Sequence, residues 1–140
     1  MDDVILAGGQ ALNGLLAGVY LAFVVAVMPA LQGLPDDTFR HVMNRISVAI
    51  VNPAFLTLFL GAPALAVVLA AVHRDLHTVA AAVAAVSAVV VTFAVNVPLN
   101  DALAHGGTRE SYETPWVRWH YVRTGAATVA FGLLCIPVTT

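Results

Sequence analysis

Trp116, Trp119, His120 and Arg123 share one arc of a helix, roughly a third of its circumference wide at about 100° per residue. Such a face combines an aromatic wall, a titratable imidazole and a fixed positive charge. Asn96 and Asn100 flank Pro98 at the end of a long apolar run, and Asn44 and Asn52 stand where another begins. Amides and a guanidinium within apolar segments are costly unless they meet partners or a ligand, so they are expected to face inward. Together they can hold a polar group on an otherwise apolar molecule, and His120 can move a proton near neutrality. His41 and Asp101 are the other candidate bases.

Each residue also has a plainer reading. Tryptophans at a membrane boundary commonly form the interfacial belt, and an arginine there can reach toward lipid phosphates. His120 can be a simple interfacial polar residue. Asn96 and Asn100 can stabilise a helix end broken at Pro98. Metal chemistry is the weaker option. His73 and His77 are one turn apart across a tight turn, and a trio of His41, His105 and His120 would suit copper, but no recognised ligand spacing is present. No serine, cysteine or paired-carboxylate motif points to a covalent nucleophile or a glycosidase.

The elements that must position these residues belong to a membrane protein. Of 140 residues, 60% are hydrophobic and 10% charged, with six arginines and no lysine; mean hydropathy is +0.88. Soluble domains carry charge on about a quarter of their residues. Long apolar runs cover Val4 to Leu34, Ile46 to Val72 and Leu76 to Val97. A shorter run, Thr124 to Val138, becomes long enough if its helix starts at Pro115 behind a Thr114 cap and continues to Ile136. The first run follows Asp2 and Asp3 and reads as a span, not a leader.

The expected fold is all-α: a single four-span domain over residues 1–140, forming an integral membrane four-helix bundle. A short interfacial helix is expected between spans one and two, where Phe39, Val42, Met43, Ile46 and Ile50 recur at helical spacing. Arg40, Arg45, Arg109, Arg118 and Arg123 against Arg74 place loops one and three in the cytoplasm and both termini outside, in a bacterial cytoplasmic membrane. The polar residues named above then gather at the cytoplasmic face. Gly14, Gly18, Ala22, Ala26 and Ala30 form a small-residue ridge, and Ala80, Ala84, Ala88 and Thr92 a second. These suit close packing of spans one and three or a homo-oligomer through the Gly14/Gly18 face. The net charge of −2, with no basic stripe, argues against nucleic acid.

Val27-Met28-Pro29, Asn52-Pro53-x-Phe55, Asn96-Val97-Pro98-Leu99-Asn100 and Trp116-x-x-Trp119-x-x-x-Arg123-Thr124 resemble, in order and spacing, the anthrone oxygenase-like membrane proteins. Where members commonly read Trp-Asn-His ahead of the arginine, this chain has Trp119-His120-Tyr121. The resemblance implies oxidation of an anthrone- or polyketide-like aromatic by molecular oxygen, without flavin or haem. In that scheme His120, Arg123, Asn96 and Asn100 are catalytic, with His120 the base and both asparagines donating to the substrate carbonyl. Trp116, Trp119, Asn44 and Asn52 bind the substrate, the two tryptophans by stacking on its rings. The alternatives are a quinone- or lipid-binding protein, an accessory subunit, or a metal-binding membrane protein.

Overall fold

A computed structural model describes residues 2–137, of which the side chain of Asp2 is not considered. The protein is all-helical, with 88% of it in helix and no strand among the described residues. The elements are α1 (Asp2–Ala22), a π turn (Phe23–Val27), α2 (Met28–Leu31), α3 (Asp36–Ala49), α4 (Pro53–His73), α5 (Leu76–Val91), a second π turn (Thr92–Asn96), α6 (Val97–Ala104) and α7 (Arg109–Leu134). Three continuous segments are long and apolar enough to cross a membrane: Asp3–Leu31, Pro53–His73 and Leu76–Ala104. α7 has comparable length, but it carries Arg109, Glu110, Glu113, Arg118 and Arg123, and it is not among the three.

Local chemistry accounts for most boundaries. Asn52 caps α4 by accepting from Phe55 N at 3.0 Å, with Pro53 at the first helical position, where its missing N–H costs nothing. Asp75 caps α5 by accepting from Thr78 N at 2.9 Å. The N–H of Thr78 holds the Asp75 carboxyl below its ordinary range. α7 does not begin at Pro115, as the pattern suggested. Thr108 caps it by accepting from Ser111 N at 3.2 Å, and Pro115 lies inside the helix without ending it. The better cap lay one turn and a half upstream, and the helix absorbs one missing bond.

Both π turns end two residues before a proline, Pro29 or Pro98. A proline ring inside a helix crowds the carbonyl four residues back, here that of Val25 or Ala94. The widened turns contain those carbonyls and close instead through Met28 N–H to Phe23 O and Val97 N–H to Thr92 O.

α1 packs against α4 and α7, and α5 packs against the same two helices. The two small-residue ridges therefore do not pair: spans one and three lie diagonally. Gly14 instead receives the Phe131 ring of α7, which would stand 3.0 Å from an added Cβ. Gly18, Ala22, Ala26 and Ala30 are exposed. Buried Ala81, Ala82 and Ala85 of α5 meet α4 and α7 through Ala66, Leu69, Ala130 and Leu134. At the other end α3 tucks Phe39 and Met43 beneath Leu103, Tyr112 and Trp116. Arg109 ties this end together by donating to Leu34 O at 2.7 Å, Gln32 O at 3.1 Å and Glu113 Oε2 at 2.7 Å.

Candidate functional site

The inward stripe of α7 runs through Tyr112, Trp116, His120, Arg123, Ala127 and Ala130, all buried. Three of its aromatic rings form a ladder: Trp116 stacks on His120 at 4.8 Å and on Tyr112 at 6.0 Å between centroids. Asn100, on α6, sets the ladder's position. Its Oδ1 accepts from Tyr112 Oη and from Trp116 Nε1, both at 2.9 Å.

Beside the ladder lies a cavity of about 310 Å3. Tyr20, Phe23, Phe55, Phe59 and Phe93 supply most of its aromatic wall, and Thr92, Asn96, Asn100, His120 and Arg123 its polar groups. The C-terminal end of α3, through Ile46, Ser47 and Ile50, closes one side. Val51, Leu56 and Phe93 line the cavity yet are exposed, which puts its mouth between the α3–α4 junction and the second π turn.

Arg123 is the charged centre of this wall and is 8% exposed. Its Nε donates to His120 Nδ1 at 2.9 Å, and one terminal nitrogen donates to Thr92 Oγ1 at 3.1 Å. The guanidinium carbon lies 4.8 Å from the Tyr20 ring centroid and 5.3 Å from that of Trp116. Among the described residues no carboxylate forms an ion pair with it. Because arginine only donates, His120 must accept at Nδ1 and carry its proton on Nε2, which donates to Tyr20 O at 2.9 Å. The imidazole is thus neutral, with both nitrogens engaged.

Asn96 closes the second π turn. Its Nδ2 donates to Trp116 O at 3.3 Å, while its Oδ1 is buried without a partner, as is the Tyr20 hydroxyl.

The structure thus gathers Asn96, Asn100, Trp116, His120 and Arg123 around one cavity, and leaves Trp119, Asn44 and Asn52 off its lining. Trp119 sits at the margin of the inward stripe and is 39% exposed. Asn44 is half-buried on α3. Asn52 spends both amide atoms on the α4 cap, its Nδ2 donating to Ala49 O at 3.0 Å. Trp116 presents only part of itself to the cavity, since its neighbours one turn either side already stack on it. His41 and Asp101 are exposed and also lie off the lining.

Tyr20, Phe23, Phe59, Thr92 and Phe93 escaped the reading of the sequence as site residues. Within unbroken apolar runs an aromatic facing a cavity has the same signature as one facing lipid. The one available signal was the shared Pro29 and Pro98 spacing, since π turns gather at functional sites. Among the described residues no group of three or more His, Cys, Asp or Glu side chains is placed to hold a metal; His77 is instead paired with Asp75 at 2.9 Å.

No curated protein and no solved structure matches the chain. The sequence model described as anthrone oxygenase matches residues 39–133, from the first turn of α3 to the last turn of α7. That stretch contains the cap, the asparagine–proline turn and the arginine ladder just described, and the chain belongs to the anthrone oxygenase family.

Proposed function

We propose that the protein is a membrane-embedded oxygenase that converts a flat, hydrophobic aromatic ketone of the anthrone type into the corresponding quinone. The observation that carries this reading is Arg123, a buried cation without a carboxylate partner among the described residues, in the wall of a largely apolar cavity. The volume falls within the range of about 300–1,000 Å3 usual for small-molecule sites. Phe55, Phe59 and Phe93 offer ring faces, and the mouth at Val51, Leu56 and Phe93 suits access from lipid.

The chemistry asks little of the protein. Removing a proton from the methylene opposite the carbonyl leaves an enolate whose charge rests largely on oxygen. Arg123 stabilises that oxyanion by charge-assisted hydrogen bonds. The enolate passes one electron to O2, and the two radicals join at the former methylene carbon. The resulting peroxide anion takes back the proton held by the base, and the hydroperoxide loses water to give the second carbonyl. One oxygen atom enters the product and the other leaves as water. The electrons come from substrate, so the scheme requires no flavin, haem or metal. His120 is the base. Its Nδ1 becomes free as Arg123 Nε turns from it to the growing oxyanion, so that proton removal and charge stabilisation are one exchange.

In the membrane the long helices form a four-helix bundle with α7 as the fourth span and α3 along the interface. Loops one and three are cytoplasmic and both termini lie outside, so the cavity opens near the inner leaflet. The test is oxygen uptake by purified protein with anthrone, read together with formation of anthraquinone. Consumption of one O2 per quinone, roughly 10²–10³-fold slower in Arg123→Met, is expected. Binding of anthraquinone without any oxygen uptake would instead identify a quinone-binding protein.

A further inference from the structure

Donors and acceptors on the cavity wall do not balance. Asn96 is 1% exposed, and its Oδ1 is buried with no donor. The amide cannot be turned round, because its Nδ2 serves the Trp116 carbonyl and a flip would set two oxygens against each other. Several donors on the same wall already have partners, and neither the Tyr20 hydroxyl nor the remaining N–H groups of Arg123 reach Oδ1 among the described residues. Arg123 Nε serves His120 and one of its terminal nitrogens serves Thr92. The Thr92 hydroxyl proton goes to Ala88 O at 2.8 Å, and the Trp116 indole N–H goes to Asn100. A buried acceptor left in this state is costly, and a ligand that supplies a donor recovers that cost. The π turn sets the relative placement: Thr92 opens it and holds Arg123, while Asn96 closes it, so the cation and the vacant acceptor attach to adjacent points of one segment.

We infer that Asn96 determines specificity in this cavity by accepting a hydrogen bond from a ring hydroxyl of the ligand whose oxygen Arg123 holds. The inference rests on the aromatic-ketone reading and reverses the expected part of Asn96, from donor to acceptor. A bare ring system leaves Oδ1 unsatisfied and a methyl ether sets an oxygen or a methyl group against it. A hydroxylated ring satisfies it. The Tyr20 hydroxyl, able to donate or accept, does not discriminate between them.

The test is equilibrium binding to the purified full-length protein in detergent, followed by quenching of tryptophan fluorescence. The probes are anthraquinone, its 1-hydroxy and 2-hydroxy derivatives and the two methyl ethers, none of which reacts with oxygen. At least one hydroxy isomer is expected to bind roughly tenfold tighter than its methyl ether and than anthraquinone. In Asn96→Leu that ratio falls to about twofold or less. If Asn96→Leu fails to fold, Asn96→Ala also removes the acceptor without adding bulk, and the ratio within one preparation is independent of how much of it is active. Equal affinities for hydroxyl and ether in the wild type, or an undiminished ratio in the Asn96 variants, overturn the inference. Failure of the wild type to bind any of the five overturns the aromatic-ketone reading itself.

Discussion

Replacing Arg123 with methionine separates a functional charge from a structural one. The guanidinium makes two hydrogen bonds to neutral partners, at 2.9 and 3.1 Å, and lies over two aromatic rings. Hydrogen bonds to a charged group contribute about 1.5–3 kcal/mol each, and a desolvated cation–π contact about 2 kcal/mol. Against these stands the cost of keeping an unpaired ion out of water, several kcal/mol after relaxation. The terms nearly cancel, so Arg123→Met should shift stability by no more than about 2 kcal/mol in either direction. For a chain of this size that is a change in Tm below about 8 °C. Catalysis has no such compensation. Losing an oxyanion donor costs about 2.7–4 kcal/mol, a fall in turnover of roughly 10²–10³-fold. Thermal unfolding in detergent and oxygen uptake per folded molecule read the two quantities on one sample. Turnover within threefold of wild type would refute the assignment. So would a loss of stability large enough by itself to account for the missing activity.

His120→Asn keeps an acceptor for Arg123 but cannot take a proton; turnover should fall about 10²–10⁴-fold while anthraquinone affinity changes little, and wild-type turnover would reduce His120 to a positioning residue. Asn52→Ala should cost about 1 kcal/mol of stability, and neither it nor Trp119→Phe should alter turnover per folded molecule by more than about twofold; a larger effect would place these residues at the substrate. Arg109→Ala leaves the carbonyls of Leu34 and Gln32 without their donor, and should lower stability by about 1–3 kcal/mol in a denaturation curve. The Asp75 carboxyl is held below its ordinary value by Thr78 N–H, so its contribution to stability is present above that value, near 3.8, and is lost as pH falls through the lower folded-state value. Asp75→Asn keeps the cap and should remove that part of the acid sensitivity; an unchanged pH profile of Tm would contradict it.

Scarcity made part of this protein legible. In a chain with 10% charged residues, a guanidinium and two amides inside apolar segments stand out, and Arg123, Asn96 and Asn100 do meet at one cavity. Helix existence followed from apolar length, whereas the Asn52 cap that starts α4 inside the run from Ile46 did not. The start of α7 did not either, because Thr114-Pro115 reads as a helix start and hides the Thr108 cap six residues earlier. Trp119 shows the limit of helical-wheel reasoning: it lies on the margin of the stripe, where a few tens of degrees separate cavity from exterior. The aromatic lining was invisible for a different reason. Phe59 and Phe93 are as suitable for lipid as for a ligand, and nothing in their neighbours distinguishes the two. The direction of the Asn96 amide depends on one carbonyl twenty residues away.

The π turn at Thr92–Asn96 amounts to one residue more than an α-helical ladder would hold. Everything beyond it is phased about 100° from where uninterrupted winding would have put it. Excising a single apolar residue there, with no polar group touched, would swing Asn100 away from the Tyr112 and Trp116 it anchors. A shortening of one position between Phe93 and Val95 would dismantle the centre while leaving hydropathy and helix content almost unaltered.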